Sequence, residues 1–244
     1  MTDLSASPAE LHLTIILLTV TACYLVYHYA LDARRFLPPD LAASPDRALR
    51  ALAIQRIGGA AILGLPPTIL VLALAGHGPS HIGLGVPHWG PLFAYVLGLG
   101  AVLLPVITLA SRKPDFGAHY PELRLPPAAW TPARLRRNRL LWGIYLFGYE
   151  VLFRGVLLFG LIPFVGVWPA IAIQTAFYAA VHLPKNAGEC AGSAVMGTLF
   201  SLGALWSGSV LAPWLLHWMV ATAGETLGLR AQLRAQRLTS AEAS

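Results

Sequence analysis

The sequence predicts an all-α polytopic transmembrane helical bundle of about seven spans, with eight spans as the alternative. Three observations predict it: hydrophobic residues make up 56% of the 244 positions, charged residues make up 11%, and the mean hydropathy is +0.63. A soluble domain carries about 25% charged residues. This chain has too few charges to cover a surface that faces water, so its surroundings are expected to be lipid.

Long apolar runs define the individual spans, because a membrane-crossing helix needs roughly 20 mainly apolar residues. Seven runs qualify, and the links between the last four are short, so those four are expected to pack as antiparallel neighbours. The sixth run is short and is expected to be tilted or to continue into the seventh. No removable signal sequence precedes the first run, which is expected to be retained. The predicted spans are 11–31, 57–76, 91–111, 140–162, 164–183, 191–206 and 208–227.

The positions of the basic residues agree with this division. With seven spans, every Lys and Arg except Arg154 falls on one side of the membrane, including five Arg in the loop 32–56 and Lys185 in the link after the fifth span. The positive-inside rule makes that side the cytoplasm and leaves the N-terminus outside. The net charge of +6 is therefore interpreted as topology and attraction to anionic lipids rather than as nucleic-acid binding. A bacterial inner membrane is the expected location.

A Pro-rich basic loop divides the chain into parts. The predicted parts are an N-terminal three-span part (1–111), the cytoplasmic loop (112–138), a four-span core (139–228) and a cytoplasmic tail (229–244). Within the core, Ser193, Gly197 and Ser201 form a row of small residues, interpreted as ordinary close packing between helices.

Ionisable side chains inside the predicted spans indicate where the chemistry lies. Such groups are costly in lipid and are typical of functional sites. Glu150 and Arg154 are four residues apart, on one helix face, while His182 and His217 lie on the fifth and seventh spans. The sequence lacks H-E-x-x-H and G-x-S-x-G, and no span contains Asp. What remains is a carboxylate with imidazoles, which can activate a water and stabilise an oxyanion.

The same residues resemble the CPBP family, which comprises the type 2 CAAX prenyl proteases and their bacterial abortive-infection or lysostaphin-resistance-like relatives. Residues 149–155 read YEVLFRG and resemble the motif Glu-Glu-x-x-x-Arg-Gly. Residues 178–182 read YAAVH and resemble the aromatic-x-x-x-His motif. Residues 217–221 read HWMVA, where the family has His-x-x-x-Asn. The sequence departs from the family at Tyr149, which replaces the first Glu, and at Ala221, which replaces the Asn.

The resemblance implies an intramembrane glutamic-type endopeptidase that cleaves a membrane-embedded peptide or protein. Glu150, or Glu189 if it folds back into the cavity, pairs with His182 to deprotonate a water. His217 donates to the oxyanion, Arg154 orients the carboxylate, and Tyr149 supports the site. No cofactor is expected, and a zinc site built from the two His and a Glu is the second chemical possibility. The functional alternative is an inactive relative that binds a transmembrane peptide as a scaffold, immunity factor or maturation factor.

Overall fold

The computed structural model describes residues 5–76, 78–113, 116–183 and 187–242, and Lys185 therefore lies outside the described residues. Within these ranges the chain is helical and contains no strand. Seven long helices follow the predicted order, which confirms the all-α polytopic bundle. They are α1 (Pro8–Ala30), α2 (Pro45–Ala75), α3 (Trp89–Ala110), α4 (Pro132–Glu150), α5 (Val167–Ala180), α6 (Ala187–Ser207) and α7 (Leu211–Glu242).

Short segments connect these helices, and one of them extends α4. The π-helix Val151–Phe159 directly continues α4. Single turns of 3₁₀-helix occur at Ala33–Arg35, Pro79–Ile82 and Pro127–Ala129, and short α-helical turns at Phe116–His119 and Ile162–Val165. The π-helical geometry is uncommon and is found mostly at functional sites.

Local sequence signals set the helix ends. At the start of α1, the Ser7 hydroxyl accepts from the Glu10 backbone N–H, and the Glu10 carboxylate accepts from the Ser7 backbone N–H, which forms a capping box. Gly208, with φ at 67°, separates α6 from α7 in a conformation that glycine adopts without strain. The sixth span therefore does not run on into the seventh, and at 21 residues α6 is longer than predicted.

Among the described residues, five helical stretches are long and apolar enough to cross a membrane, so the protein is an integral membrane protein. Helix α5 is apolar but has only 14 residues, and α7, which carries His217 and Glu225, is not among the five. The count of seven spans therefore stays a prediction. The five stretches are Pro8–Arg35, Pro45–Leu74, Trp89–Ala110, Pro132–Val165 and Ala187–Ser207.

Helix α4 and its π-helical extension form the centre of the bundle. Of their most apolar stretch, 72% is buried, against 17% for α1 and for α3. A Cβ on Gly148 would clash with the Ala60 backbone, and a Cβ on Gly64 would lie 3.4 Å from the Gly148 Cα. These small residues let α2 approach α4 closely. The last turn of α4 and the π-helix that follows it are therefore enclosed by the other helices.

The segment between α3 and α4, predicted as a basic loop, is packed onto the bundle. Leu123, Leu125 and Trp130 are buried against the start of α2 and against Leu229 of α7. Beneath them, the Arg56 Nη1 donates to Asn138 Oδ1 at 2.7 Å and its Nη2 contacts Glu122 Oε2 at 3.1 Å.

Arg56 corrects one sequence prediction. The sequence predicts Arg56 in a cytoplasmic loop at 32–56, but α2 begins at Pro45 and Arg56 is only 3% exposed. Its guanidinium carbon lies 4.0 Å from the Trp142 ring centroid. A charged residue can be buried in a helix where a carboxylate, an amide and an aromatic face receive it.

Candidate active site

The Glu150–Arg154 pair lies at the junction of α4 and the π-helix, and both residues are completely buried. Arg154 Nη1 lies 2.8 Å from Glu150 Oε2. The N–H directions are nevertheless unfavourable, so that Glu150 Oε2, Arg154 Nη1 and Arg154 Nε lack a hydrogen-bond partner among the described residues. The contact is therefore an electrostatic pair rather than an aligned hydrogen bond. The predicted pairing of these residues along one helix face is present.

Aromatic rings and one carbonyl group enclose the Arg154 side chain. Its guanidinium carbon lies 4.5 Å from the Tyr178 ring centroid and 5.0 Å from that of Phe200. Its Nη2 donates to the Gly197 carbonyl at 3.4 Å. Cation–π contacts of this kind are stronger when they are desolvated, so they offset part of the cost of burying the charge.

The Gly197 carbonyl oxygen also accepts from Gln174 Nε2 at 3.0 Å and from the Ser201 hydroxyl at 2.9 Å. Sequence reasoning missed Gln174, although an amide inside an otherwise apolar helix was the available signal. It is completely buried in α5. The row of small residues on α6, interpreted as packing alone, therefore also presents a carbonyl to three side chains.

His217 contacts the second oxygen of the same carboxylate. Its Nδ1 lies 2.6 Å from Glu150 Oε1, and since an ionised carboxylate can only accept, the imidazole donates. Nε2 is then the nitrogen left for contact with other groups. The His217 side chain is 18% exposed, whereas Glu150 is fully enclosed. The structure therefore pairs Glu150 with His217, while the sequence analysis paired it with His182.

His182 follows the end of α5 and is oriented by the backbone. Its Nδ1 donates to the Tyr178 carbonyl at 2.7 Å, and this bond orients the ring. The centroid of the Tyr178 ring lies 4.8 Å from the His182 ring and 6.3 Å from the His217 ring. Both imidazoles therefore lie beside the same tyrosine.

A cavity of about 470 Å³ brings the accessible groups together. Its wall includes His182, Glu189 and His217, together with Tyr149 and Ala221. Glu150 and Arg154 lie behind this wall. Two glutamates, Glu122 and Glu189, line the cavity. Glu189, at the start of α6, is half-buried. Outside the membrane-spanning helices, burial raises the pKa of Tyr120, which also borders this cavity, to about 12, so its hydroxyl is neutral at ordinary pH.

Tyr149 packs in an aromatic cluster. It is 5% exposed, and its ring centroid lies 4.6 Å from Phe153, 5.8 Å from Tyr178 and 5.9 Å from His217. A bulky neutral ring therefore fills the position at which the resembling motif has its first Glu.

Metal ligation was the second chemical possibility. In the ranges 5–76, 78–113, 116–183 and 187–242, no three His, Cys, Asp or Glu side chains form a group that could hold a metal ion.

Comparison with protein families agrees with the motifs. Residues 138–223 match the family model described as type II CAAX prenyl endopeptidase Rce1-like. The matched segment contains Glu150, Arg154, His182, Glu189 and His217. Searches of curated proteins and of solved structures gave no match. The match covers about a third of the chain, and over this segment the protein is similar to the type II CAAX prenyl endopeptidases, a family of proteases.

Proposed function

We propose that this protein is an intramembrane endopeptidase that hydrolyses a membrane-embedded peptide or protein with water activated by His182 and Glu189. The observation that carries the proposal is the 2.6 Å contact between His217 and Glu150 at the edge of a cavity that also contains His182 and Glu189. A bacterial inner membrane, with the basic loops in the cytoplasm, is the proposed location.

His182 and Glu189 form the proton-accepting side of the site. His182 is the base in this proposal: its Nδ1 donates to the Tyr178 carbonyl, and its Nε2 takes a proton from water. Glu189 on the same cavity wall stabilises the imidazolium that results. The resemblance left Glu150 and Glu189 as alternatives for this carboxylate. Glu189 is proposed here because it lines the same cavity as His182, whereas Glu150 is completely buried.

His217 forms the oxyanion side. This role requires the imidazolium form of His217, in which Nδ1–H donates to the Glu150 carboxylate and Nε2–H donates to the oxygen of an attacked peptide carbonyl. Arg154 lies against the other oxygen of the Glu150 carboxylate. As the peptide C–N bond breaks, the protonated His182 gives its proton to the leaving amine. Each proton that leaves the water thus reaches the amine, and hydrolysis is balanced without a cofactor.

A cleavage assay in proteoliposomes tests the proposal. The substrates are two quenched fluorescent probes: a farnesylated peptide with a C-terminal CAAX sequence, and a peptide with one apolar membrane-spanning segment. We expect Glu189→Gln, His182→Gln and His217→Gln each to lower the rate about 10²–10⁴-fold. Glu10→Gln, at an exposed carboxylate of α1, is the matched control and retains the wild-type rate. Unchanged rates in all three site variants would refute the mechanism.

A chelator arm of the same assay tests metal dependence. We expect full activity after treatment with a strong chelator. Loss of activity that added Zn²⁺ restores would replace the proposed mechanism with metal-assisted hydrolysis.

Tyr149 supports a second candidate function, a non-catalytic scaffold that binds a transmembrane peptide. A buried aromatic ring is a poor base near neutral pH, since an unperturbed tyrosine has a pKa of about 10. The scaffold function predicts that wild-type protein binds the membrane-spanning probe but yields no product. It also predicts that Glu189→Gln leaves this binding unchanged.

A further inference from the structure

A groove separate from the catalytic cavity lies along the outer side of α4, between α2 and α7. It has a volume of about 540 Å³ and is lined almost entirely by apolar groups. Leu65 of α2 and Leu140 and Ile144 of α4 are 60%, 54% and 45% exposed, so the groove opens toward the surroundings of the bundle. We call it the lateral groove.

Glycines and two fixed indole rings create this shape. Gly64, Gly143 and Gly148 provide a floor without side chains. Trp214 Nε1 donates to the Gly143 carbonyl at 2.8 Å, and Trp218 Nε1 donates to the Arg139 carbonyl at 2.7 Å. The indole N–H groups are thereby satisfied inside the protein, and the stacked rings, 5.5 Å apart, form an apolar wall.

The dimensions of the lateral groove select its occupant. From Leu140 to Val151 it extends about 16 Å along α4, given the 1.5 Å rise per residue. That length is close to half of the ~30 Å hydrocarbon thickness of a bilayer. An acyl chain of one leaflet spans the same length, so the groove matches such a chain both in length and in its apolar lining.

Arginines continue the groove at one end. Arg136 and Arg137 precede Leu140 by four and three residues, so they lie on the same face of α4, one turn beyond the groove. Both are exposed, and neither forms an ion pair with a carboxylate in the part of the chain that the structure describes. The nearby Asp46 already pairs with Arg134, with Oδ1 and Oδ2 at 3.0 and 2.9 Å from its guanidinium nitrogens. Surplus positive charge thus lies where the headgroup of a lipid in the groove would be.

We propose that the lateral groove is a binding site for an anionic phospholipid, with one acyl chain against the glycine floor and the phosphate held by Arg136 and Arg137. Apolar fit alone would accept any phospholipid. The arginines add selectivity for anionic headgroups, because each basic residue near an anionic lipid surface contributes attraction of about 1 kcal/mol. The site does not overlap the catalytic groups and does not depend on proteolysis.

Thermal unfolding of the purified protein in detergent, with added lipid, tests the site. The two probes are dioleoyl phosphatidylglycerol and dioleoyl phosphatidylcholine, which differ only in the headgroup. We expect the Tm to be about 4–8 °C higher with phosphatidylglycerol than with phosphatidylcholine. Native mass spectrometry of the same samples counts bound lipid, and so gives a readout for variants of lowered stability. Equal effects of the two lipids would overturn the proposal.

Paired variants locate the effect. Arg136→Gln with Arg137→Gln should abolish the difference between the lipids. Arg112→Gln with Lys113→Gln, which removes two adjacent exposed charges beyond α3, should preserve it. Ile144→Trp fills the groove and should remove bound lipid, whereas Leu97→Trp, on an exposed face of α3, should not. Retention of selective binding in either site variant would contradict the proposal. Soluble glycerol phosphate should give no shift, and an equal shift with it would show that no acyl chain is bound.

Discussion

The Nδ1 atom of His217 lies 2.6 Å from Oε1 of Glu150, and this contact connects the fully buried ion pair to the cavity. Arg154 lies on the other oxygen of the same carboxylate. Glu150 therefore acts as the link between a buried cation and an imidazole that borders the cavity. Any effect of Glu150 on a substrate in the cavity is indirect, because the His217 imidazole lies between Glu150 and the cavity.

Removing Glu150 should strongly destabilise the protein. In Glu150→Ala, Arg154 stays buried without its carboxylate, which costs about 3–5 kcal/mol. The double variant Glu150→Ala with Arg154→Met should recover most of this loss, since no isolated charge remains. Unfolding in mixed detergent micelles measures the stability of the single and the double variant. Additive losses in the double variant would contradict an interaction between Glu150 and Arg154.

The close approach of α2 and α4 gives a second prediction. Gly148→Ala should destabilise by about 1–3 kcal/mol, because the added Cβ clashes with the Ala60 backbone and the backbones must separate. Gly98→Ala is the control, since a Cβ there meets nothing within 4 Å. This control should leave the free energy of unfolding unchanged or raise it by about 0.5–1 kcal/mol, because alanine is favoured over glycine in a helix interior. Equal unfolding midpoints for the two variants would argue against the tight contact.

The buried network of Arg56 and Asn138, next to the segment between α3 and α4, gives a third prediction. Arg56→Ala should cost about 1–3 kcal/mol, because Asn138 Oδ1 loses its donor in a buried position. Arg34→Ala removes an arginine whose side chain is 82% exposed and which pairs with Asp32. It should leave the unfolding midpoint unchanged. The same unfolding titration compares them, and the idea fails if Arg56→Ala is as harmless as its control.

Ala221 offers a test by gain of function. It borders the cavity one turn beyond His217, at the position where the family motif has an amide. Ala221→Asn should add a donor to the oxyanion and raise the cleavage rate about tenfold, a modest share of what such donors contribute. Val220→Asn, at the neighbouring cavity position, is the matched control and should not raise the rate. A rate for Ala221→Asn no higher than that of this control would count against an oxyanion at this place.

Residue type and spacing were sufficient to predict the bundle and most of the polar cluster. The apolar runs predicted the order of the helices, and Glu150, Arg154, His182 and His217 stood out because charged and imidazole groups are rare in lipid. Which imidazole contacts Glu150 was not predictable, since it depends on how α7 packs against α4. The π-helix and the burial of Gln174 and Arg56 likewise depend on tertiary partners that no local pattern reveals.

Three helices converge on a single oxygen atom, the carbonyl of Gly197, which receives hydrogen bonds from the π-helix, from α5 and from within α6. A displacement of α6 must therefore also displace the guanidinium that neutralises Glu150. Glu189 lies at the start of that same helix, so the position of α6 bears on both the carboxylate that lines the cavity and the carboxylate buried behind it.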